Sequence, residues 1–245
     1  NARKDRSVCS GINNMVYPVP NVRVSYIPWT WDVPAGYWRR VGQSHNCFFV
    51  ESFIDELSHA SNEDPLAFRT RLLHKHPRHL TVLQEAALKA NWGKLLAPGC
   101  GRGLAISENH GTIVAEIVTV SVGMGGKLSV EEIICVVNCR QVIHPDTVIA
   151  QMEGSILDGL SAALYGQITL TQGQVDQSNF SDYRFLNLAE APKVTVHMIP
   201  ESGRPGGIGE PGLPPIAPAL ANAIFDATGR RIRYLPVSKQ KFLHV

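Results

Sequence analysis

Between positions 44 and 57 the apolar residues Cys47, Phe48, Val50, Phe53, Ile54 and Leu57 recur every three to four positions. That spacing predicts a buried helix, with Ser44 available as its cap. Asn62 to Asp64 and Pro65 start a second helix with Leu66, Phe68, Leu72 and Leu73 on its apolar side, and Thr81 to Ala90 repeats the pattern. Upstream, Val22, Val24 and Tyr26 alternate between prolines across 16–31, which predicts an extended strand before a turn at Pro34-Ala35-Gly36. After Pro98-Gly99-Cys100-Gly101 the texture becomes β. Segments 103–107, 113–122 and 127–138 are rich in Val and Ile, with Gly125-Gly126 marking a hairpin turn. Three antiparallel strands are the simplest arrangement.

Pro145 sits where a helix can start, and Val148, Ile149, Met152, Ile156, Leu157, Leu160 and Leu164 carry an apolar stripe away from it. Gly154 and Gly159 interrupt that helix, each costing up to about 1 kcal/mol relative to Ala, and predict close packing. Strands at 167–170 and 193–199, a Gly/Pro loop and a helix over 215–228 complete the order. The succession of β, helices, β, helix, β and helix predicts an α+β fold rather than a doubly wound sheet. The chain divides into residues 1–98, a strand plus a helical segment, and 99–245, an α+β segment.

Composition narrows the chemistry. The 245 residues are 44% hydrophobic, enough for a real core, and the formal charge of +2 comes without a basic run interleaved with aromatics. Nucleic-acid binding has no support. No apolar stretch approaches the roughly 20 residues of a spanning helix. Cys9, Cys47, Cys100, Cys135 and Cys139 are odd in number and form no C-x-x-C pair, so neither a disulfide framework nor a zinc site is expected. Cys135 and Cys139 read as buried thiols in an apolar run, and the nine histidines as surface residues.

The strongest candidate chemistry lies in Gly206-Gly207-Ile208-Gly209-Glu210-Pro211-Gly212-Leu213-Pro214-Pro215, one carboxylate in a backbone of glycines and prolines ahead of an apolar helix. Such a loop is shaped rather than floppy. A carboxylate held there near a low-dielectric core can reach the pKa range of a general base, the alternative being a solvated turn residue. Gly207-x-Gly209-x-x-Gly212 also matches the dinucleotide fingerprint literally. The match fails on context: Pro200 to Pro205 separate it from the preceding strand, and Asp226 falls inside the helix instead of ending a second strand.

The same loop, together with Ala150-Gln151-Met152-Glu153-Gly154 and Trp38-Arg39-Arg40-Val41-Gly42-Gln43-Ser44-His45-Asn46, resembles the molybdenum hydroxylases of the xanthine oxidase family, in the branch of isoquinoline 1-oxidoreductase and aldehyde-oxidising large subunits. Glu51-Ser52-Phe53-Ile54-Asp55-Glu56-Leu57, Asp64-Pro65-Leu66-Ala67-Phe68-Arg69 and Ser178-Asn179-Phe180-Ser181-Asp182-Tyr183 extend the resemblance over nearly the whole chain. Several separated motifs in order are far more specific than one.

The resemblance implies the C-terminal portion of a molybdopterin-binding domain and hydroxylation of an N-heteroaromatic or an aldehyde with oxygen from water. The cofactor would be molybdenum-molybdopterin, in its cytosine dinucleotide form, with the metal held by the cofactor and not by side chains. Glu210 matches the family's catalytic base. Arg39, Gly42, Gln151 and Gly209 match positions beside the pterin, and Val41 one near the substrate. A guanidinium fork suits carbonyl and phosphate oxygens, and an amide both donates to and accepts from such a ring. Before the resemblance, Arg39 reads equally as a surface cation and Gln151 as a polar face residue; Asn179 and Asp182 read as loop caps.

Iron–sulfur [2Fe-2S] clusters would reside on a separate small subunit, consistent with the cysteine spacing here. Family large subunits are considerably longer than this chain, so a remaining large-subunit segment is expected as a partner. A folded assembly partner that binds no cofactor alone is the competing reading. The chain departs from the family's Asp-Cys-Gly run, reading Asn138-Cys139-Arg140.

Overall fold

The β-branched residues after Cys100 form a four-stranded sheet in the computed structural model, which describes residues 6–27, 33, 36–240 and 242. β1 (Cys100–Asn109), β2 (Thr112–Val122) and β3 (Leu128–Asn138) run antiparallel in that order. β4 (Leu170–Thr171) and β5 (Gln174–Val175) make a small separate hairpin, and β6 (Lys193–Met198) pairs parallel to β3. A parallel neighbour needs a crossover. The helix α4 (Pro145–Tyr165) lies within it. The remaining helices are α1 (Gly42–Ala60), α2 (Pro65–Leu72), α3 (Pro77–Lys89) and α5 (Ile216–Thr228).

Local chemistry sets several of these boundaries. Asp64 caps α2, its carboxylate accepting from the Leu66 and Ala67 amides at 2.9 Å, with Pro65 in the first turn; such a cap contributes about 1 kcal/mol. Gly229 ends α5 in the left-handed conformation, φ 70°, and its N–H donates to the Phe225 carbonyl.

Two apolar layers cover the sheet. Ala105, Val114, Val118, Ile133 and Cys135 face Met152, Ile156 and Leu160 of α4 and Ile216, Leu220 and Ile224 of α5. On the opposite face Leu104, Ile106, Ile113, Ile117 and Val136 meet Phe68, Leu73, Val82, Leu83 and Ala86. Each such Leu, Ile or Phe contributes roughly 1.5–3 kcal/mol by its burial. α5 lies against β1 backbone to backbone, because a Cβ on Gly103 would overlap the Ala223 nitrogen and the Ala219 carbonyl oxygen, and one on Gly101 would overlap Ala223 and Ala227.

A buried ionic cluster ties the α1–α2 pair to the sheet edge. Arg69 donates to the Glu51 carboxylate at 3.0 Å and the Glu51 carbonyl at 2.9 Å, while Tyr17 donates to Glu51 and the Ile106 amide reaches the same carboxylate. Asp55 lies 3.7 Å from Arg69 and 2.6 Å from Arg231.

Several expectations change. Residues 16–27 run irregularly rather than as a strand, since Pro18 and Pro20 lack donors and most of the segment is exposed; 28–32 and the turn residues Pro34 and Ala35 lie outside the described residues. Ser44 does not cap α1, which begins at Gly42; its hydroxyl donates back to the Val41 carbonyl at 2.6 Å. α3 starts at Pro77 rather than at 81, and only Leu170 of the 167–170 segment pairs. Gly159 is packed against Ile216 and Leu213, but a Cβ on Gly154 would meet nothing within 4 Å. His79 is buried, 3.3 Å from Glu108, whose carboxyl it holds below the usual range. Cys135 and Cys139 are buried thiols, and Asp182 closes its loop by accepting from the Ser178 and Asn179 amides.

Candidate functional site

The Gly206–Gly212 loop crosses from β6 to α5 and is pinned to the end of β3 and to the β1–β2 turn. The Gly206 amide donates to the Cys139 carbonyl at 2.9 Å and the Gly207 amide to the His110 carbonyl at 3.0 Å. Two of its glycines are there for contact: a Cβ on Gly206 would overlap Thr112 Oγ1, and one on Gly212 would overlap Ser155 Oγ. Gly209 is different, because the space a Cβ would fill there is open.

Arg39 closes on this loop from a motif 170 positions away. Its Nε donates to the Gly209 carbonyl at 3.1 Å, Nη2 donates to the same oxygen, and Nη1 lies 3.3 Å from the Asp158 carboxylate. The Arg39–Asp158 pair is partly exposed, so its ionic part contributes at most about 1 kcal/mol. The fork on one carbonyl fixes the direction of the peptide just before Glu210. Gln151 sits half-buried seven positions before Asp158 on α4, and therefore on the same helical face.

Val41 and Arg40 hold the entrance to α1 in uncommon backbone states, with φ 47° and φ 69°. At ψ −132° Val41 lies outside the left-handed helical well, a conformation costing of order 1–3 kcal/mol that persists only where neighbours impose it. Those neighbours are visible. The Val41 amide donates to the Trp38 carbonyl, and a Cβ on Gly42 would overlap the carbonyl oxygens of Ser7 and Val8. Gly42 therefore accommodates the chain's own 3₁₀ turn at Arg6–Cys9, which Asn46 also grips through the Val8 and Ser10 carbonyls.

Glu210 lies beside His110, 3.9 Å away, and its side chain is 40% exposed. The dry setting expected for it is thus not made by this chain's described residues. Burial pulls the neighbouring Arg40 guanidinium below its usual value, a shift the Glu210 charge opposes. Arg40 Nη2 donates to Gln43, while its Nε is buried without a partner among the described residues. Arg39, Gly209 and Glu210 are directly joined, Arg40 is electrostatically coupled to them, and Gln151 shares the Asp158 face. Asp158, Arg40 and His110 were not among the expected site residues. Only the Arg39-Arg40 doublet gave a local signal for Arg40; the other two are brought in by long-range contacts, His110 with the loop and Asp158 with Arg39.

Below the loop the β1–β2 hairpin buries a polar row. Ser107 Oγ, both amide atoms of Asn109, Thr112 Oγ1 and both carboxylate oxygens of Glu116 have no hydrogen-bond partner among the described residues. Each unmade bond costs about 1–3 kcal/mol, so together they would rival the roughly 5–15 kcal/mol net stability of a domain. Among the described residues no group of three or more His, Cys, Asp or Glu is placed to hold a metal ion. Arg39 is engaged by the Gly209 carbonyl and Asp158, Arg40 Nε has no partner among the described residues, and Gln151 lies on the Asp158 face of α4; guanidinium and amide donors of this kind suit an oxygen-rich organic anion.

A family model described as a molybdopterin cofactor-binding domain matches residues 105–192. The chain is 33% identical to the isoquinoline 1-oxidoreductase subunit beta of Brevundimonas diminuta, over 97% of this chain and 31% of that protein. It is 30% identical to a membrane-bound aldehyde dehydrogenase (pyrroloquinoline-quinone) of Gluconacetobacter polyoxogenes, over 82% of this chain and 29% of that protein. The aldehyde oxidoreductase from Desulfovibrio desulfuricans shares the fold, with a TM-score of 0.66 at 13% identity, over 82% of this chain and 40% of that one. The chain spans about a third of the length of the relatives it matches.

Proposed function

We propose, for a chain that belongs to the molybdopterin-binding xanthine oxidase family, that it supplies the base-bearing loop and part of the cofactor cradle of a molybdenum-dependent oxidoreductase. The observation that carries this reading is the Arg39 fork on the Gly209 carbonyl, which joins two motifs distant in sequence at the residue next to Glu210. The substrate class is an N-heteroaromatic or an aldehyde, which the names of the two relatives support.

Molybdenum-molybdopterin supplies the oxygen-transfer and two-electron chemistry when bound. The chain's own residues do the rest. Arg40 and Gln151 offer donors to the oxygens of the pterin, and its cytosine dinucleotide extension is part of the proposal. Arg39 orients the loop. Glu210 takes up a proton at its carboxylate as the substrate carbon gains oxygen from water. Val41 faces the substrate, the strain in its backbone serving to present it.

The exposed Phe49, Phe53 and Leu57 stripe on α1 supports a partner. It lines a groove of about 710 Å³, an apolar area that suits the large-subunit segment the relatives carry beyond the span they share with this chain. That segment would also cover Glu210 and supply its dry setting. A small subunit carrying [2Fe-2S] clusters completes the assembly. The test is Glu210→Gln in the assembled enzyme, where the amide keeps the shape and removes the base. Turnover should fall roughly 10²- to 10⁴-fold with molybdenum and pterin content unchanged. Parental turnover at full molybdenum content would reduce Glu210 to a loop residue.

A further inference from the structure

The polar row under the loop belongs to no role assigned above. Alternation along the strands puts Ala105, Ser107 and Asn109 of β1 on the same face as Thr112, Val114 and Glu116 of β2. The register sets Asn109 opposite Thr112, Ser107 opposite Val114 and Ala105 opposite Glu116. This is the face that packs against α5, where the surrounding residues are apolar. Six side-chain polar atoms in the row are buried and have no partner among the described residues, one another included. A cavity of about 40 Å³ opens against Ser107, lined also by Gln43, Cys47 and Glu51.

We infer that Ser107, Asn109, Thr112 and Glu116 line a buried site for water beneath the loop that carries Glu210. A buried water makes two to four hydrogen bonds and needs at least about 10–15 Å³, so the cavity at the Ser107 end of the row has room for about two or three molecules. The chemistry matches water better than an ion. The row offers hydroxyl, amide and carboxyl groups, and burial lifts the Glu116 carboxyl well above the usual range, so it enters as a neutral acid that both donates and accepts. Its titratable neighbours, Cys47 on α1 and Cys135 on β3, are thiols that burial also holds neutral. Thr112 joins the row to the loop, because the Gly206 backbone lies directly on its hydroxyl. The site thus hydrates the floor of the loop from inside the core. It stands independently of the reaction proposed above.

High-resolution diffraction from crystals of the 245-residue chain tests the inference, together with infrared spectra of the parent and Glu116→Gln at neutral pH. Ordered waters should lie within hydrogen-bond distance of at least two of the four side chains, and an acid carbonyl stretch should vanish in Glu116→Gln. A dry row, its groups paired with each other, overturns the inference, as does the absence of that band in the parent. Ser107→Ala is the second variant, for the case in which Glu116→Gln does not fold. It should lose one water and keep the others, and an unchanged set of waters overturns the assignment.

Discussion

Arg39 directs most of its donors to protein, and this changes what its substitution should do. Two of its nitrogens share the Gly209 carbonyl and a third faces Asp158, so the guanidinium is first a clamp on the loop. Arg39→Lys keeps the charge and loses the fork, since an ammonium cannot span one carbonyl and a carboxylate in the same plane. Turnover of the assembled enzyme should fall at least about 10-fold while charge-dependent binding persists, and equal kcat in Lys and Arg forms would rule the clamp out. Arg140 solves a different problem. It occupies φ 63°, and Asn138 Oδ1 accepts from its amide at 3.1 Å to hold the turn. An arginine held in the left-handed region costs about 1–2 kcal/mol.

Glu116 gives a pH dependence whose sign follows from its burial. Its folded pKa is raised, so its contribution to stability is fully present below the unfolded carboxylate range and is lost as pH rises toward the folded value. Glu116→Gln removes that loss. The unfolding free energy of the variant minus that of the parent, measured by urea denaturation, should therefore grow between about pH 4 and pH 7. Its slope should approach about 1.4 kcal/mol per pH unit wherever the carboxyl is neutral in the folded chain and ionised in the unfolded one. Cys47 and Cys135 stay neutral through that window, and the Glu51–Arg69 pair is common to both proteins. A difference that does not change with pH would mean that Glu116 titrates like an exposed carboxyl.

At the scale of elements, the helical layer depends on one buried cation. Arg69 on α2 is fully buried, and without it Glu51 and Asp55, one turn apart on α1, would lose the cation that compensates both. Arg69→Leu should cost about 3–5 kcal/mol, the penalty of leaving a buried charge unpaired, measured by urea denaturation. Glu51 also accepts from the Ile106 amide on the edge strand β1, so the same substitution should speed hydrogen exchange there. Protection at Ile106 equal to the parent's would detach the ionic cluster from the sheet edge.

For the whole molecule, assembly turns on the α1 surface. Phe49 and Phe53 are 54% and 59% exposed, one helical turn apart, beside the groove that also includes Met15 and Ile232. Phe53→Asp should leave the chain's own stability within about 0.5 kcal/mol, as surface changes usually do. Co-expressed with the remaining large-subunit segment, the variant should no longer copurify with it. Copurification at the parental ratio would place that partner elsewhere.

Short-range chemistry was legible in the amino-acid order. The three antiparallel strands, the Asp64 cap, the Pro145 and α5 helices and the Asp182 loop each follow from residues within a few positions of one another, where propensity and hydrogen-bonding capacity act directly. The motif residues Arg39, Gly209 and Glu210 were legible too, as a pattern. What they touch was not. The Arg39–Gly209 clamp, the His110 and Asp158 neighbours, the collision of Gly42 with the 3₁₀ turn and the exposure of Glu210 arise from segments brought together by burying apolar faces. The same holds for Glu116, which in sequence is one acidic residue in an apolar strand and in the fold a carboxyl with no partner among the described residues. The irregular run at 16–27 makes the point in reverse: alternation signals a strand, but only a neighbouring edge with free donors and acceptors can make one, and that is decided by tertiary packing.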